Sequence, residues 1–208
     1  WPDRVTGAIS CDLNILQSVQ PVLRAGKWQV TVSLRDGHHI VGIWPGLKER
    51  IAGVAIDVGS TTMSAHMCDM VTGEVLASTG AMNPQIRFGE DLMSRVSYGI
   101  MNPGGDREMT AAVIEGLQTL ISGAAEQAGL TNEDVLEIVL VGNPVMHHLL
   151  LGIDPVELGG APFALAVDTS VEIRASELGI DVHPGGRVYV LPCICLLYTS
   201  DAADDPTC

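Results

Sequence analysis

The stretch that most constrains what this chain can become is Gly53-Val54-Ala55-Ile56-Asp57-Val58-Gly59-Ser60-Thr61-Thr62-Met63-Ser64-Ala65-His66. An apolar, strand-like run ends on a carboxylate. A glycine and three hydroxyl residues follow, and a second strand-like run returns. A buried strand of this kind delivers Asp57 to its C-terminal end, where open α/β sheets carry their chemistry. Gly59 permits a tight turn that brings backbone N–H groups close to an anion. Ser60, Thr61 and Thr62 add hydroxyl donors to the same place. Asp57 is badly suited to touch a phosphate and well suited to hold Mg²⁺, usually through water, because Mg²⁺ takes one or two carboxylates plus phosphate oxygens. Taken alone, the stretch also reads as a plain β-hairpin whose turn happens to be D-V-G-S-T-T.

The surrounding pattern sets the fold class. Strands are expected at about 52–57, 63–69 and 74–82, with Val71-Thr72-Gly73 turning the chain between the second and third. The polar loop Asn83–Asp91 leads into a helix of about 89–99, broken at Pro103-Gly104-Gly105-Asp106. A long helix at about 107–128 carries Val113, Leu117, Leu120, Ile121, Ala124 and Ala128 at spacings of three and four, with Gly129 at its end. This stripe reads as core. Glu137–Val141 is a fourth strand, expected to be buried on both faces because its apolar run is unbroken. It ends in Gly142-Asn143-Pro144, before a short helix bearing Met146-His147-His148-Leu149-Leu150. A long irregular connection from Asp154 precedes a short helix at 174–178 and a fifth strand at 187–191. Three meandering antiparallel strands before any long helix open a ribonuclease-H-like α/β (α+β) lobe; a plain parallel sheet would cross over after its first strand.

Residues 1–49 read as a separate small α+β module, and 50–194 as the lobe. A helix at about 11–24 has Leu13, Leu16, Val19, Val22 and Leu23 as its apolar stripe, with Pro21 marking a possible kink. The runs Trp28–Leu34 and His39–Ile43 form a hairpin around Arg35-Asp36-Gly37. Its His38-His39 pair is expected at the hairpin surface, since adjacent strand residues point to opposite faces and cannot share a metal. His147 and His148 lie about 100° apart on a helix and make an equally poor metal pair; a bond from one of them to a phosphate or a backbone carbonyl is the better reading.

Eleven Lys+Arg against twenty-five Asp+Glu give a net charge of −14, which argues against nucleic acid or an anionic membrane surface as the main partner. No run approaches the length of a membrane span. The start Trp1-Pro2-Asp3-Arg4 does not read as a signal peptide and looks like the middle of an open reading frame. The five cysteines show no C-x-x-C and no paired framework, which supports neither zinc nor iron–sulfur ligation here and fits reduced thiols in a cytoplasm. From Cys195 the text Cys-Leu-Leu-Tyr-Thr-Ser-Asp-Ala-Ala-Asp-Asp matches a transposon sequencing adapter translated in frame, so residues 195–208 are expected to be non-native.

Four stretches together resemble one family: Ala55–Thr62, Asn83-Pro84-Gln85-Ile86-Arg87-Phe88-Gly89-Glu90-Asp91, Val141-Gly142-Asn143-Pro144-Val145-Met146-His147-His148-Leu149, and Leu151-Gly152-Ile153-Asp154-Pro155. The hairpin is similar to the first phosphate loop of the actin-like ATPase superfamily. The four together resemble the ATP-dependent reductive activators of corrinoid proteins, iron–sulfur proteins with an actin-like ATPase domain, over about residues 10–194. Pro144 departs from the pattern, standing where such proteins usually carry Thr.

The resemblance implies a piece of a longer protein, lacking an N-terminal 2Fe–2S ferredoxin domain and the second ATPase lobe. It implies ATP and Mg²⁺ as cofactors, with Asp57 positioning the metal. Gly59, Ser60, Thr61 and Thr62 would grip phosphates, and Gly142 and Asn143 would lie against the nucleotide or the attacking water. The partners it implies are a corrinoid protein, an electron-donor protein and a second copy in a homodimer. The activity it implies is reduction of corrinoid Co(II) to Co(I) by one electron from the cluster. Rival readings use the same hairpin differently: a sugar-kinase-like or acyl-CoA-dehydratase-activator-like ATPase, or a non-catalytic nucleotide-binding scaffold.

Overall fold

The computed structural model describes residues 7–193; the expectation for 195–208 lies outside the described residues. Two sheets form. The small one has the order β1-β3-β2 and the large one β6-β5-β4-β7-β9-β8.

The small module is α1 (Leu13–Ala25) with β1 (Ser10–Cys11), β2 (Val30–Arg35) and β3 (His39–Pro45). The hairpin forms as its alternation dictates, with Asp36 and Gly37 both at positive φ in the turn. The two-residue strand β1, too short to leave a periodic signal, pairs parallel with β3. Helix α1 continues through Pro21 rather than breaking. Its inward face also differs from the expected stripe: Ile15 is buried, whereas Leu13 and Leu16 are 67% and 58% exposed. The expected Val19 and Val22 are half-buried, but Ile15, which shares their helical spacing, takes the inward position in place of Leu13 and Leu16.

In the lobe, β4 (Ala52–Val58), β5 (Thr62–Asp69) and β6 (Val75–Met82) form the expected antiparallel meander. Helices α2 (Leu92–Met101) and α3 (Gly105–Gln127) follow. Then β7 (Val135–Gly142) lies parallel to β4 on the side away from β5. The short α4 (Pro144–Leu150) leads on towards β8 (Val171–Arg174) and β9 (Arg187–Val190). Strand β9 is parallel to β7, and β8 is added antiparallel at the edge. The expected helix at 174–178 is a single 3₁₀ turn, Ala175–Leu178, closed by Gly179 at φ +73°. Strand β8 was not foreseen from the pattern; four residues after an irregular connection carry too little periodicity to declare a strand.

Successive parallel crossovers moving in one direction across a sheet are right-handed, which puts their helices on the same face. Val54, Ile56 and Val58 of β4, Ile138 and Leu140 of β7, and Val188 and Val190 of β9 accordingly pack into one core with Val113, Leu117 and Ile121 of α3 and Met146 and Leu149 of α4. The opposite face is different. Ala55, Asp57 and His66 are exposed there, and on β7 Val141 is 42% exposed. The expectation that β7 is buried on both faces is therefore corrected: among the described residues only its Ile138/Leu140 face is enclosed. An unbroken apolar run shows that a strand could be covered on both sides, not that it is.

The small module closes the base of that open face. Arg35 reaches Glu137 on β7 at 2.7 Å and Glu172 on β8 at 3.0 Å. Arg187 on β9 reaches Asp12 at 3.0 Å, and Lys48 pairs with Asp134. Trp44 lies on His183 with ring centroids 5.1 Å apart. Backbones also meet, since a Cβ on Gly185 would stand 1.8 Å from the Val41 carbonyl oxygen. His39 belongs to this seam rather than to free hairpin surface. Its Nδ1 lies 2.9 Å from Ser10 Oγ and its Nε2 3.6 Å from Asp12, because β1 and Asp12 fold back beside β3.

Candidate phosphate-binding site

The turn between β4 and β5 is held from behind at three consecutive carbonyls. The Gly59 oxygen accepts from Asn83 Nδ2 at 2.8 Å. The Ser60 oxygen accepts from the guanidinium Nη2 of Arg95. The Thr61 oxygen accepts from the Asn83 backbone N–H at 2.8 Å. A trans peptide is planar, so the N–H of each following residue points opposite to the carbonyl before it. Asn83 and Arg95 are 1% and 0% exposed, whereas Thr61 and Thr62 lie at the surface. With the carbonyls turned inward, the N–H groups of Ser60 and Thr61 face outward, as an anion-binding nest requires.

Gly59 is needed here for room, because a Cβ would stand 2.5 Å from the Thr62 carbonyl oxygen. Asp57 is one residue before the end of β4, on the exposed face, directly opposite Val141 in the parallel register. Val58 is likewise opposite Gly142, where a Cβ would meet the Val58 oxygen at 3.1 Å and Met146 Cβ at 3.2 Å. The two strand ends thus bring Asp57, Gly59, Ser60, Gly142 and Asn143 to one end of the sheet. Asn143 has a local duty there: its Oδ1 accepts the Met146 N–H at 3.0 Å and caps α4. Pro144 occupies the first position of that helix, where a missing N–H costs nothing.

Beneath the turn lies a buried polar cluster. Asn83 Oδ1 accepts from the Gln85 N–H at 2.9 Å, and Gln85 Nε2 donates to the Met109 oxygen at 2.9 Å. Arg95 donates through Nε to the Gly89 oxygen at 3.0 Å, and its Nη1 lies 3.3 Å from Gln85 Oε1 and 3.1 Å from the Met146 sulfur. The loop expected between β6 and α2 is in fact a 3₁₀ turn, Pro84–Phe88, started by the Asn83 side chain. Helix α2 begins at Leu92 rather than near 89, capped by Asp91, whose carboxylate is held below the usual range by the Ser94 backbone bond. Sequence reading marked Asn83–Asp91 as unusual without assigning it a task, and it missed Arg95. A signal existed: Leu92, Arg95, Val96 and Gly99 share one helical face, which sets the arginine on the inward stripe.

The histidines of α4 divide. His148 is satisfied, with Nδ1 2.8 Å from the Pro144 oxygen and Nε2 accepting from the Ala166 N–H at 3.0 Å, in line with the backbone-carbonyl reading. His147 is 2% exposed, and neither ring nitrogen has a partner among the described residues. Burial pulls both below the ordinary histidine range. Among the described residues, no group of three or more His, Cys, Asp and Glu is placed to hold a metal ion. No described helix is long and apolar enough to cross a membrane. A concavity of about 1000 Å³ along the outer side of α3 shares no residue with the β4–β5 turn.

Residues 52–203 match the family described as the RACo middle region, and residues 2–50 match the RACo linker region. The chain belongs to the RACo family. Its two matched regions meet between β3 and β4. A curated relative, the corrinoid activation enzyme RamQ of Eubacterium limosum, is 28% identical over 185 residues, covering 88% of this chain and 31% of the relative. A solved structure, described as a reductive activator for corrinoid, iron-sulfur protein, superposes with a TM-score of 0.76 at 32% identity, covering 88% of this chain and 30% of that one. The fold is thus that of a RACo activator, whose middle region has the actin-like ATPase architecture. The chain spans about a third of the length of these relatives.

Proposed function

We propose that this chain is the linker and the first nucleotide-binding lobe of an ATP-dependent activator that reduces a corrinoid protein's Co(II) to Co(I). The observation that carries the reading is the turn itself: three inward-tied carbonyls leave the N–H groups of Ser60 and Thr61 facing outward beside the exposed carboxylate end of β4. The relatives, named for corrinoid activation, supply the target class.

The residues present fit a nucleotide with its metal. Gly59 lets the turn close against its own Thr62 carbonyl, and Gly142 lets the end of β7 lie close to Val58 and Met146. The outward N–H groups, with the hydroxyls of Ser60, Thr61 and Thr62, form a donor set for phosphate oxygens. Asp57 supplies the hard carboxylate that Mg²⁺ prefers, with water and phosphate oxygens completing the shell. MgATP contributes binding and hydrolysis energy that can favour one conformation of the activator over another. This chain's part is differential grip: only a cradle that binds its ligand unequally in two states can shift an equilibrium between them. Such a bias is required because the electron transfer is uphill, and each ~59 mV opposes a one-electron step tenfold. Cys11, Cys68 and Cys193 are free and separate, so the described residues do not fit a 2Fe–2S cluster. We place the cluster, and the docking of any electron-donor protein, in other parts of the full-length protein.

The first prediction tests this in the full-length protein. Asp57→Asn preserves shape and removes the charge. It should melt with wild-type cooperativity and lose on the order of 10²–10³ in Mg²⁺-dependent ATP hydrolysis and in corrinoid reduction. Hydrolysis within a few-fold of wild type at saturating Mg²⁺ would make the turn structural and the assignment wrong.

A further inference from the structure

Arg95 is the most deeply buried charge among the described residues, at 0% exposure, and nothing in the β4–β5 hairpin pattern points to it. It forms no salt bridge among the described residues. Its partners are neutral: the carbonyls of Gly89 and Ser60, the Gln85 amide oxygen and the Met146 sulfur. Burial draws its guanidinium down to about 10, with Asp91 opposing, so the group stays charged at neutral pH. A buried cation with neutral partners is costly, and it persists where a counter-charge arrives from elsewhere or where its fork holds a geometry nothing else can hold.

The second condition is met at Ser60. The guanidinium holds the Ser60 carbonyl inward, and the same peptide plane aims the Thr61 N–H outward. Bonds to Gly89 and Gln85 fix the plane of the fork against the 3₁₀ turn. The contact with Met146 ties it to the first turn of α4, whose cap is Asn143. One side chain therefore spans the β4–β5 turn, the 84–88 turn and the helix after β7. Resting on the phosphate-site reading above, we propose that Arg95 is the positioning residue of the phosphate cradle: it sets the direction of the Thr61 N–H and provides, from below, the positive charge that the nucleotide's phosphates balance.

The test uses the full-length protein with Arg95→Met, which keeps the length and loses charge and fork, and Arg95→Lys, which keeps the charge alone. Affinity is read by calorimetry for MgADP and, separately, by NMR titration for adenosine. Amide hydrogen exchange is read at Asn83, whose N–H bonds the inward Thr61 carbonyl. Arg95→Met should weaken MgADP on the order of tenfold or more, which a single charge-assisted contact supports, leave adenosine within twofold, and speed exchange at Asn83. Arg95→Lys should lie between Met and wild type in affinity and match Met in exchange, because ammonium cannot reproduce the planar fork. If Arg95→Met does not accumulate, the Lys variant carries the test alone: wild-type affinity together with wild-type exchange overturns the proposal. Equal losses for MgADP and adenosine would mean a general packing role, which also overturns it. The site reading fails separately: wild-type protein that binds no MgADP, or binds it with Asp57→Asn unchanged in Mg²⁺ dependence, refutes the cradle before Arg95 is considered.

Discussion

Asn83 shows how much a single amide can organise. Its Nδ2 holds the Gly59 carbonyl, its Oδ1 holds the Gln85 N–H, and its backbone N–H holds the Thr61 carbonyl. Truncation to Ala removes the first two bonds and leaves a buried acceptor and a buried donor without partners. Asn83→Ala should therefore cost about 1–3 kcal/mol in denaturant unfolding, with an unchanged slope, and should weaken nucleotide binding in the same variant. Loss of stability without loss of binding would detach the 3₁₀ turn from the site. At this scale the turn of the hairpin was legible, because Asp, Gly and a hydroxyl run after an apolar run mark a strand end. The residues behind it were not. Asn before Pro reads first as a turn residue, and Arg on a helix reads first as surface.

Among the elements, legibility followed the strength of the period. Strands β4 to β6 form the expected antiparallel meander and α3 buries the expected Val113, Leu117, Leu120 and Ile121 stripe. Strand β8 and the 84–88 turn are too short to show a period, and α1 offered two plausible faces. Helix α4 has a consequence for pH. His147 and His148, and His183 beneath Trp44, all titrate below the ordinary value of 6.5, with burial as the first cause in each. The unfolded chain therefore binds protons at a higher pH than the folded one. Their contribution to stability is present above 6.5 and is lost as pH falls from there through the depressed folded values. The melting temperature should drop between pH 7.5 and 5.5, and His147→Gln should flatten that slope, as differential scanning calorimetry across the range would read. A melting temperature that rises on acidification would contradict the burial of neutral rings.

At the scale of the whole molecule, the small module is joined to the lobe mainly by charge. Arg35 faces two carboxylates, and Glu137 feels opposed influences: burial pushes its carboxyl up and Arg35 pulls it down, with the upward effect larger. Arg35→Ala removes the compensation and leaves Glu137 partly buried alone. Since the side chains of Arg35 and Glu137 are about a fifth exposed, the full penalty of breaking a buried pair does not apply, and about 1–3 kcal/mol is expected. Limited proteolysis should then release the 7–49 module sooner than in wild type, and added salt should narrow the difference. Equal cleavage rates would assign the seam to Trp44, Val41 and the Gly185 backbone instead. The end of the hairpin was legible from Pro45 and Gly46. The seam was not, since its partners are separated by up to 175 residues in the chain.

Strand β7 connects the two ends of this architecture. Glu137 anchors the seam at its base, and Val141, four residues on, stands opposite Asp57. An extended strand advances about 3.3 Å per residue, so the span is a strut of about 13 Å. It is flanked by β4 and β9, and a paired strand neither stretches nor buckles under small loads. Linker region and carboxylate therefore keep a constant separation, so on the proposed nucleotide reading a rotation at the cradle would carry the linker module with it. Over such a span a rotation of about 5° would move the seam by about 1 Å.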